Sequence, residues 1–308
     1  MALAEAVKEV LWLQGLVDDL GLIQNKTRIV TRLESFPLRP DWDKNETFSL
    51  ILPVDVDLTV EPFCQSFYEF WKYFGAHATF NVWNPTTFNN EFSSSQMWTG
   101  AGDGLEVNTP EAGWQVNYSD DKTRLFIYWT SDLNGRTGCY NLDCAGFVQT
   151  NEDIAWGAIL ARISTYGGPQ YTIDIRIKKF VSRLAKWKLL AIFSRSLFWI
   201  LACCHLKFLV KHANSVTWGG RIRNSQPNGH HTSTEMGSGH FPSEGFGKAS
   251  MINNLGYVNE SGVLSDPEIF VPFVTKPSYY DVQLGKPEQN GYVTYFFFRG
   301  PGFSKTCP

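Results

Sequence analysis

Strand-like alternation is the sequence feature that most constrains the fold of this chain. From Tyr171 to Ile177 every second residue is apolar, and the residues between them are polar. Because successive side chains of a β-strand point to opposite sides, this alternation predicts a strand with one face in the core. Many further strand-like runs are separated by Gly, Asn and Pro, without helical segments between them. The pattern predicts an all-β chain in which two antiparallel sheets pack as a β-sandwich.

The segment from Asn108 to Cys144 carries an acidic residue among such strands. It reads NTPEAGWQVNYSDDKTRLFIYWTSDLNGRTGCYNLDC. Alternation around Trp114 and the aromatic and β-branched run from Leu125 to Thr130 predict two half-buried strands. The turn dipeptide Asn134-Gly135 follows them. We therefore expect a sheet that presents the carboxylate of Glu111 on its surface or in a cleft.

Composition narrows the classes of partner. The chain has 308 residues, which suffices for one large or two ordinary domains. Its 26 Gly, 15 Pro and 15% aromatic residues suit a β-rich fold with many turns and argue against a coiled coil or a disordered chain. A net charge of −3 gives no overall attraction to nucleic acid or to a membrane surface. We therefore expect no nucleic-acid partner.

Two of the six cysteines lie close together in the central segment. Cys139 and Cys144 enclose four residues, a spacing compatible with a short disulfide and unlike a paired zinc motif. Two reduced cysteines in a strand loop are the alternative. The remaining cysteines are Cys64, Cys203, Cys204 and Cys307.

Several motifs together resemble one family. In chain order they are NVWNP, SSSQMW, NTPEAGWQV, TRLFIYWT, TGCYNLDCAGFVQT, HHTSTEMGSGHFPSEGF and FFFRGPGFSKTCP. They resemble the neprosin family of plant proteins, whose best-known member is a secreted glutamic peptidase that cuts after proline. The resemblance implies a catalytic-type domain over residues 74–308, built from two large antiparallel sheets in a jelly-roll-like sandwich. It favours the Cys139–Cys144 disulfide, and it implies a second disulfide from Cys307, whose partner position holds Tyr279.

The resemblance also implies a catalytic pair of glutamates. One carboxylate accepts a proton from the attacking water, and the other, protonated, donates to the developing oxyanion or the leaving amine. Glu111 matches the first family glutamate, but the WGGE segment that carries the second reads Trp218-Gly219-Gly220-Arg221 here. A guanidinium cannot act as a base near neutral pH, and beside Glu111 it would favour an ion pair. We therefore expect a glutamic peptidase homologue that is inactive or severely impaired.

Aromatic residues around Glu111 are candidates for a substrate groove. Trp114, Trp129 and Tyr128, together with Trp98, would form a groove able to hold a prolyl ring. The alternative is that they are ordinary core residues. We expect a proline-containing peptide or protein as the substrate, and no cofactor.

Other acids and histidines offer weaker candidates. Glu235 and Glu244 are the acids that could replace the second glutamate, although Glu244 matches the family as a structural residue. The histidines that lie near them are His230, His231 and His240. Their spacing matches no zinc motif such as HExxH, so we expect no metal.

The family pattern breaks between Arg176 and His212. This segment contains nine Lys or Arg residues and no Asp or Glu. Its apolar run, residues 197–204, is shorter than the about 20 residues that span a bilayer, so membrane contact of residues 187–210 is not expected. A peripheral membrane helix is the alternative. We interpret residues 176–212 as an atypical insert, altered by splicing or a frame change, that removes part of a sheet.

The first 73 residues carry no catalytic motif. Residues 1–22 have apolar residues at helical spacing and predict a helix outside the sandwich. Charged residues interrupt it, so it lacks the unbroken apolar centre of a secretory signal, and the compartment is not predicted. It resembles a short fragment of copia-type retrotransposon polyproteins, from which we expect no nuclease activity. Residues 23–73 are an unassigned linker or the remnant of an activation segment.

Two further functions stay open at this point. The chain could be a non-catalytic peptide- or carbohydrate-binding protein that keeps the groove. It could also be a non-functional chimeric product that does not fold stably. Cleavage of a proline-containing peptide, binding without cleavage, and a missing cooperative unfolding transition are the observations that distinguish the three.

Overall fold

The computed structural model describes about two thirds of the chain. The described residues are 59–60, 62–67, 72–88, 90–102, 107–117, 120–132, 137–143, 147–149, 157–181, 187–193, 196–202, 211–227, 230–267, 271–285 and 294–304. The helix predicted for residues 1–22 lies outside these ranges, as does most of the segment assigned to residues 23–73.

Two antiparallel sheets form the structure, as the alternation predicts. Within the described ranges the first sheet has eight strands. Seven of them are, in spatial order, β15 (Val271–Val274), β2 (Pro62–Phe67), β12 (Ser215–Arg223), β4 (Phe92–Gly100), β5 (Thr109–Asn117), β6 (Arg124–Thr130) and β7 (Cys139–Tyr140). The eighth, β1 (Thr59–Val60), pairs with β12.

The second sheet has nine strands. In spatial order they are β16 (Asp281–Leu284), β17 (Phe296–Arg299), β13 (Met251–Val258), β3 (Gly75–Asn81), β9 (Thr172–Val181), β10 (Trp187–Phe193), β11 (Ser196–Ala202) and β8 (Phe147–Gln149), and β14 (Leu264–Ser265) pairs with β13. In the described residues the helical structure is a single 3-10 turn, Pro242–Glu244. The prediction of an all-β sandwich is confirmed.

The core lies between the sheets and is built from large apolar side chains. The largest fully buried ones include Trp114, Trp218, Tyr73, Phe80 and Phe298. Two indoles of the first sheet also donate hydrogen bonds across the core to backbone carbonyls of β3. Trp114 Nε1 donates to Asn81 O at 3.0 Å, and Trp218 Nε1 donates to His77 O at 3.0 Å. β5 and β12 are therefore each tied to the opposite sheet.

The basic segment after Arg176 contributes strands to the second sheet, while its interpretation as an altered insert stays a prediction. β9 continues to Val181, and β10 and β11 follow it as antiparallel neighbours in the same sheet. The aromatic and aliphatic residues between the lysines and arginines suit strands, which explains how the segment extends the sheet. In the described part of the chain, no helix combines the length and the hydrophobicity needed to cross a membrane.

Candidate active site

Strand register brings residues from five strands onto one face of the first sheet. Glu111 on β5 lies opposite Trp98 on β4 and Tyr128 on β6, and Tyr128 lies opposite Tyr140 on β7. Directly opposed residues of antiparallel strands present their side chains to the same side of a sheet. Arg221 on β12 joins this face through its pairing with Ser94 of β4. Residues separated by more than 100 positions in sequence thus become neighbours.

The carboxylate of Glu111 is buried and held at both oxygens. The residue is 6% exposed. Its Oε1 accepts a hydrogen bond from Thr109 Oγ1 at 3.1 Å, and its Oε2 accepts one from Gln96 Nε2 at 2.6 Å. Thr109 lies two positions before Glu111 on the same strand, so strand geometry places the two side chains on one face. The carboxylate is therefore fixed by neutral donors from two strands.

Arg221 brings a cation to the same carboxylate. Its Nη1 lies 3.9 Å from Glu111 Oε2, and the two side chains are only 15% and 6% exposed. This separation is within ion-pair range but too long for a direct hydrogen bond. Both groups are largely withdrawn from water. The attraction between their opposite charges therefore offsets part of the hydration that each has lost.

Two tyrosines line the face on the other side of Glu111. The rings of Tyr128 and Tyr140 lie 4.4 Å apart at 44°. Burial raises the pKa of Tyr128 to about 12; the negative charge of Glu111 adds to this, and Arg221 opposes it. The pKa of Tyr140 is also raised, chiefly by burial and by the negative charge of Glu111. Both phenols therefore stay protonated and uncharged over the ordinary pH range.

Two glycines make room for these side chains. Gly138 has φ 142°, and a Cβ there would overlap the phenol oxygen of Tyr128. Gly113 lies opposite Gln96, and a Cβ on it would sit 2.6 Å from Gln96 Cα and 2.8 Å from Gln96 Cβ. A side chain at Gly113 would therefore push β4 away from β5 at the point where Gln96 reaches Glu111.

Most of the chain matches the model of one protein family. The family model described as Neprosin matches residues 89–301. The chain belongs to the neprosin family. The match includes Glu111 and Arg221, as well as the segment from residue 230 to residue 246.

Solved structures of two peptidases are similar to the neprosin-family chain at a low level. One is scytalido-glutamic peptidase with a transition state analog inhibitor, at 8% identity and a TM-score of 0.38, covering 79% of this chain and 98% of that chain. The other is SCP-B, a member of the Eqolisin family of peptidases, in complex with the tripeptide Ala-Ile-His. It has 7% identity and a TM-score of 0.37, and covers 79% of this chain and 98% of that chain.

The aromatic groove expected from the sequence needs correction. Trp114 is fully buried and Trp129 is 7% exposed, and both pack in the core between the sheets. Trp114 is three positions from Glu111 on β5, and Trp129 neighbours Tyr128 on β6; an odd separation places side chains on opposite faces of a strand. Neither tryptophan can line a groove with Glu111. Tyr128 lies on the site face, and Trp98 joins it through its register with Glu111.

The two acids considered as replacements are held elsewhere in the neprosin fold. Glu235 Oε2 accepts a hydrogen bond from the amide of Thr86 at 2.8 Å. Glu244 Oε1 pairs with Nη2 of Arg299 at 2.8 Å, and its Oε2 accepts a hydrogen bond from Tyr166. Arg299 belongs to β17 of the second sheet, so Glu244 stabilises the loop that covers that sheet.

The histidines of the same motif also have different partners. His231 Nε2 lies 3.2 Å from the hydroxyl of Tyr280, and its ring stacks on Tyr279 at 4.1 Å. His240 lies 3.5 Å from Glu244 and 4.3 Å from the ring of Tyr166. No group of three His, Cys, Asp or Glu residues that could hold a metal occurs in the ranges that the structure describes.

Gln96 and Thr109 are neighbours of Glu111 that no sequence motif predicted. Thr109 could have been found from its two-residue spacing to Glu111 within a predicted strand. Gln96 lies in the motif SSSQMW, but its contact with Glu111 depends on the pairing of β4 with β5. Cys139 is buried and disulfide-bonded. Its pairing with Cys144 stays a prediction, because Cys144 lies outside the described residues, as does Cys307.

Proposed function

We propose that the chain is a neprosin-family glutamic peptidase homologue whose hydrolytic activity is severely weakened. One observation supports this: a guanidinium, Nη1 of Arg221, lies 3.9 Å from the carboxylate of Glu111. Hydrolysis by two acids requires one carboxylate to accept a proton from water and a protonated partner to donate one. Arg221 can stabilise negative charge but cannot exchange a proton near neutral pH.

The substrate class follows from the family. We infer that the site face takes a peptide with proline on the amino side of the position where the active relatives would cut. The phenols of Tyr128 and Tyr140 beside Glu111 offer an aromatic surface with neutral donors, which suits a prolyl ring and the backbone carbonyls around it. Binding without cleavage is therefore the expected behaviour of the native chain.

Restoring an acid at position 221 tests the proposal. Arg221→Glu should raise cleavage of a fluorogenic proline-containing peptide at acidic pH by at least about tenfold over the native chain, since losing one member of a catalytic unit typically removes most of the rate. Adding Glu111→Gln to Arg221→Glu should return cleavage to the native level.

Arg223→Glu is the matched control. Arg223 lies on the same strand, two positions further along, with an exposed side chain, so its replacement makes the same charge change away from Glu111. Equal gains in Arg221→Glu and Arg223→Glu would contradict the proposal, as would cleavage by the native chain that Glu111→Gln abolishes.

A further inference from the structure

The nearest described partner of the Glu111 carboxylate is an amide rather than the cation. Gln96 Nε2 lies 2.6 Å from Glu111 Oε2, whereas Arg221 Nη1 lies 3.9 Å from the same oxygen. A separation of 2.6 Å is at the short end of hydrogen-bond distances, and 3.9 Å is beyond them. Gln96 Nε2 therefore donates a hydrogen bond to this oxygen, whereas Arg221 Nη1 is too far away to do so.

The Glu111 carboxylate accepts from the NH₂ end of the Gln96 amide, and Ser94 holds the oxygen end. A glutamine side chain presents either its oxygen or its NH₂ group, and the surrounding network selects between them. Ser94 Oγ donates to Gln96 Oε1 at 2.7 Å, which leaves Nε2 to face Glu111. Ser94, Gln96 and Glu111 are 0%, 2% and 6% exposed, so water does not compete freely for these groups.

We propose that Gln96, oriented by Ser94, is a positioning residue that holds the Glu111 carboxylate in its working orientation. This deepens the proposed function and rests on it, because the orientation matters for catalysis only if Glu111 acts on a peptide. Gln96 acts through Glu111 by donating one hydrogen bond to it. A glutamate at position 96 could make that bond only while protonated.

The catalytic test uses the Arg221→Glu chain as its background. Adding Gln96→Leu should lower kcat at least about tenfold and leave KM within about twofold, because the lost bond orients the carboxylate rather than binding the peptide. Adding Gln96→Glu instead should keep turnover at acidic pH and lose it as pH rises, since the new carboxyl then ionises and stops donating. A role in packing alone would lower the stability of Gln96→Leu without separating kcat from KM.

A second measurement does not depend on turnover. In the native background, Gln96→Glu places two carboxyl groups about 2.6 Å apart in a buried site, so the folded state retains a proton that the unfolded chain releases. The melting temperature of Gln96→Glu relative to the native chain should therefore fall by about 5 °C or more between pH 4 and pH 8. Gln115→Glu, on the same face of β5 and opposite Arg124, is the control and should show no such fall.

The two measurements distinguish failure of the proposed function from failure of the inference about Gln96. If Arg221→Glu gives no turnover, the proposed function is wrong, and the melting temperatures alone decide whether Gln96 is bonded to Glu111. If Gln96→Leu leaves kcat unchanged in an active Arg221→Glu chain, Gln96 is not a positioning residue. Equal pH dependence of Gln96→Glu and Gln115→Glu overturns the inference in either case.

Discussion

Trp114 and Asn81 are joined across the core by a hydrogen bond of 3.0 Å from the indole nitrogen to the backbone carbonyl. Trp114 is on β5, the strand that carries Glu111, and Asn81 ends β3 of the opposite sheet. The orientation of the candidate site is therefore set partly by a bond on the opposite face of its own sheet.

Removing this bond should destabilise the sandwich. Trp114→Phe keeps an aromatic ring but loses the donor and some volume, so we expect a loss of about 1–3 kcal/mol in the free energy of unfolding. Urea denaturation measures it. Trp218→Phe removes the matching bond to His77 and should cost a similar amount. A change below 0.5 kcal/mol in both variants would show that the indole bonds contribute little.

Glu91 is expected to be a structural anchor. It is 1% exposed, and its carboxylate accepts hydrogen bonds from the amide and hydroxyl of Ser225 and the hydroxyls of Thr232 and Thr234. Glu91→Gln turns one acceptor into a donor among these donors and should cost about 2–4 kcal/mol in thermal or urea unfolding. Glu260→Gln, at a 73% exposed side chain, is the control and should change stability by less than about 0.5 kcal/mol.

The close approach of Tyr128 to Gly138 should make alanine at position 138 destabilising. Gly138→Ala should destabilise the chain by at least about 1 kcal/mol more than Gly245→Ala, because its Cβ meets the phenol oxygen. Gly245 has φ +72° and no atom within 4 Å of the added Cβ, so that variant measures backbone strain alone. Equal melting temperatures of the two variants would contradict the steric explanation.

Stability should fall in mildly acidic solution because of His231. Burial lowers the pKa of His231 to about 4; the positive charge of Lys276 adds to this, and Glu91 opposes it. Between about pH 6.5 and pH 4 the unfolded imidazole binds a proton that the folded one does not. The contribution of His231 to the free energy of unfolding should therefore be complete above about pH 6.5. It should decrease by about 2–3 kcal/mol as the pH falls to about 4.

Two neighbouring histidines separate this effect from general acid unfolding. His231→Phe should remove that part of the pH dependence, as measured by urea unfolding at pH 7 and at pH 4.5. His230→Phe is the control, since His230 is exposed. If the native chain and His231→Phe lose stability equally on acidification, the buried imidazole is not the cause.

The sandwich could be predicted from the sequence because alternation is local. The period of two around Tyr171 to Ile177 shows which side chains share a face, and β9 follows it. The same rule, applied to Glu111 and Trp114, would have put that tryptophan in the core. Aromatic composition near a candidate acid was therefore a weaker guide than strand parity.

The contacts of Glu111 depended on information that no local pattern carries. Gln96 reaches Glu111 because β4 pairs with β5 in one register, and a shift of one residue would turn Gln96 to the other face. The position of Arg221 depends further on the pairing of β12 with β4. The resemblance to the family pointed to Glu111 and Arg221, and the fold shows that Gln96 and Thr109 donate hydrogen bonds to the Glu111 carboxylate.

Gly113 has a consequence for how this face can vary. Any side chain there would collide with the backbone of Ser95 and with Gln96 on β4. In a library of single-residue variants sorted for folded protein, position 113 should retain glycine almost exclusively. The close spacing of β4 and β5 at this face therefore depends on position 113 having no side chain beyond hydrogen.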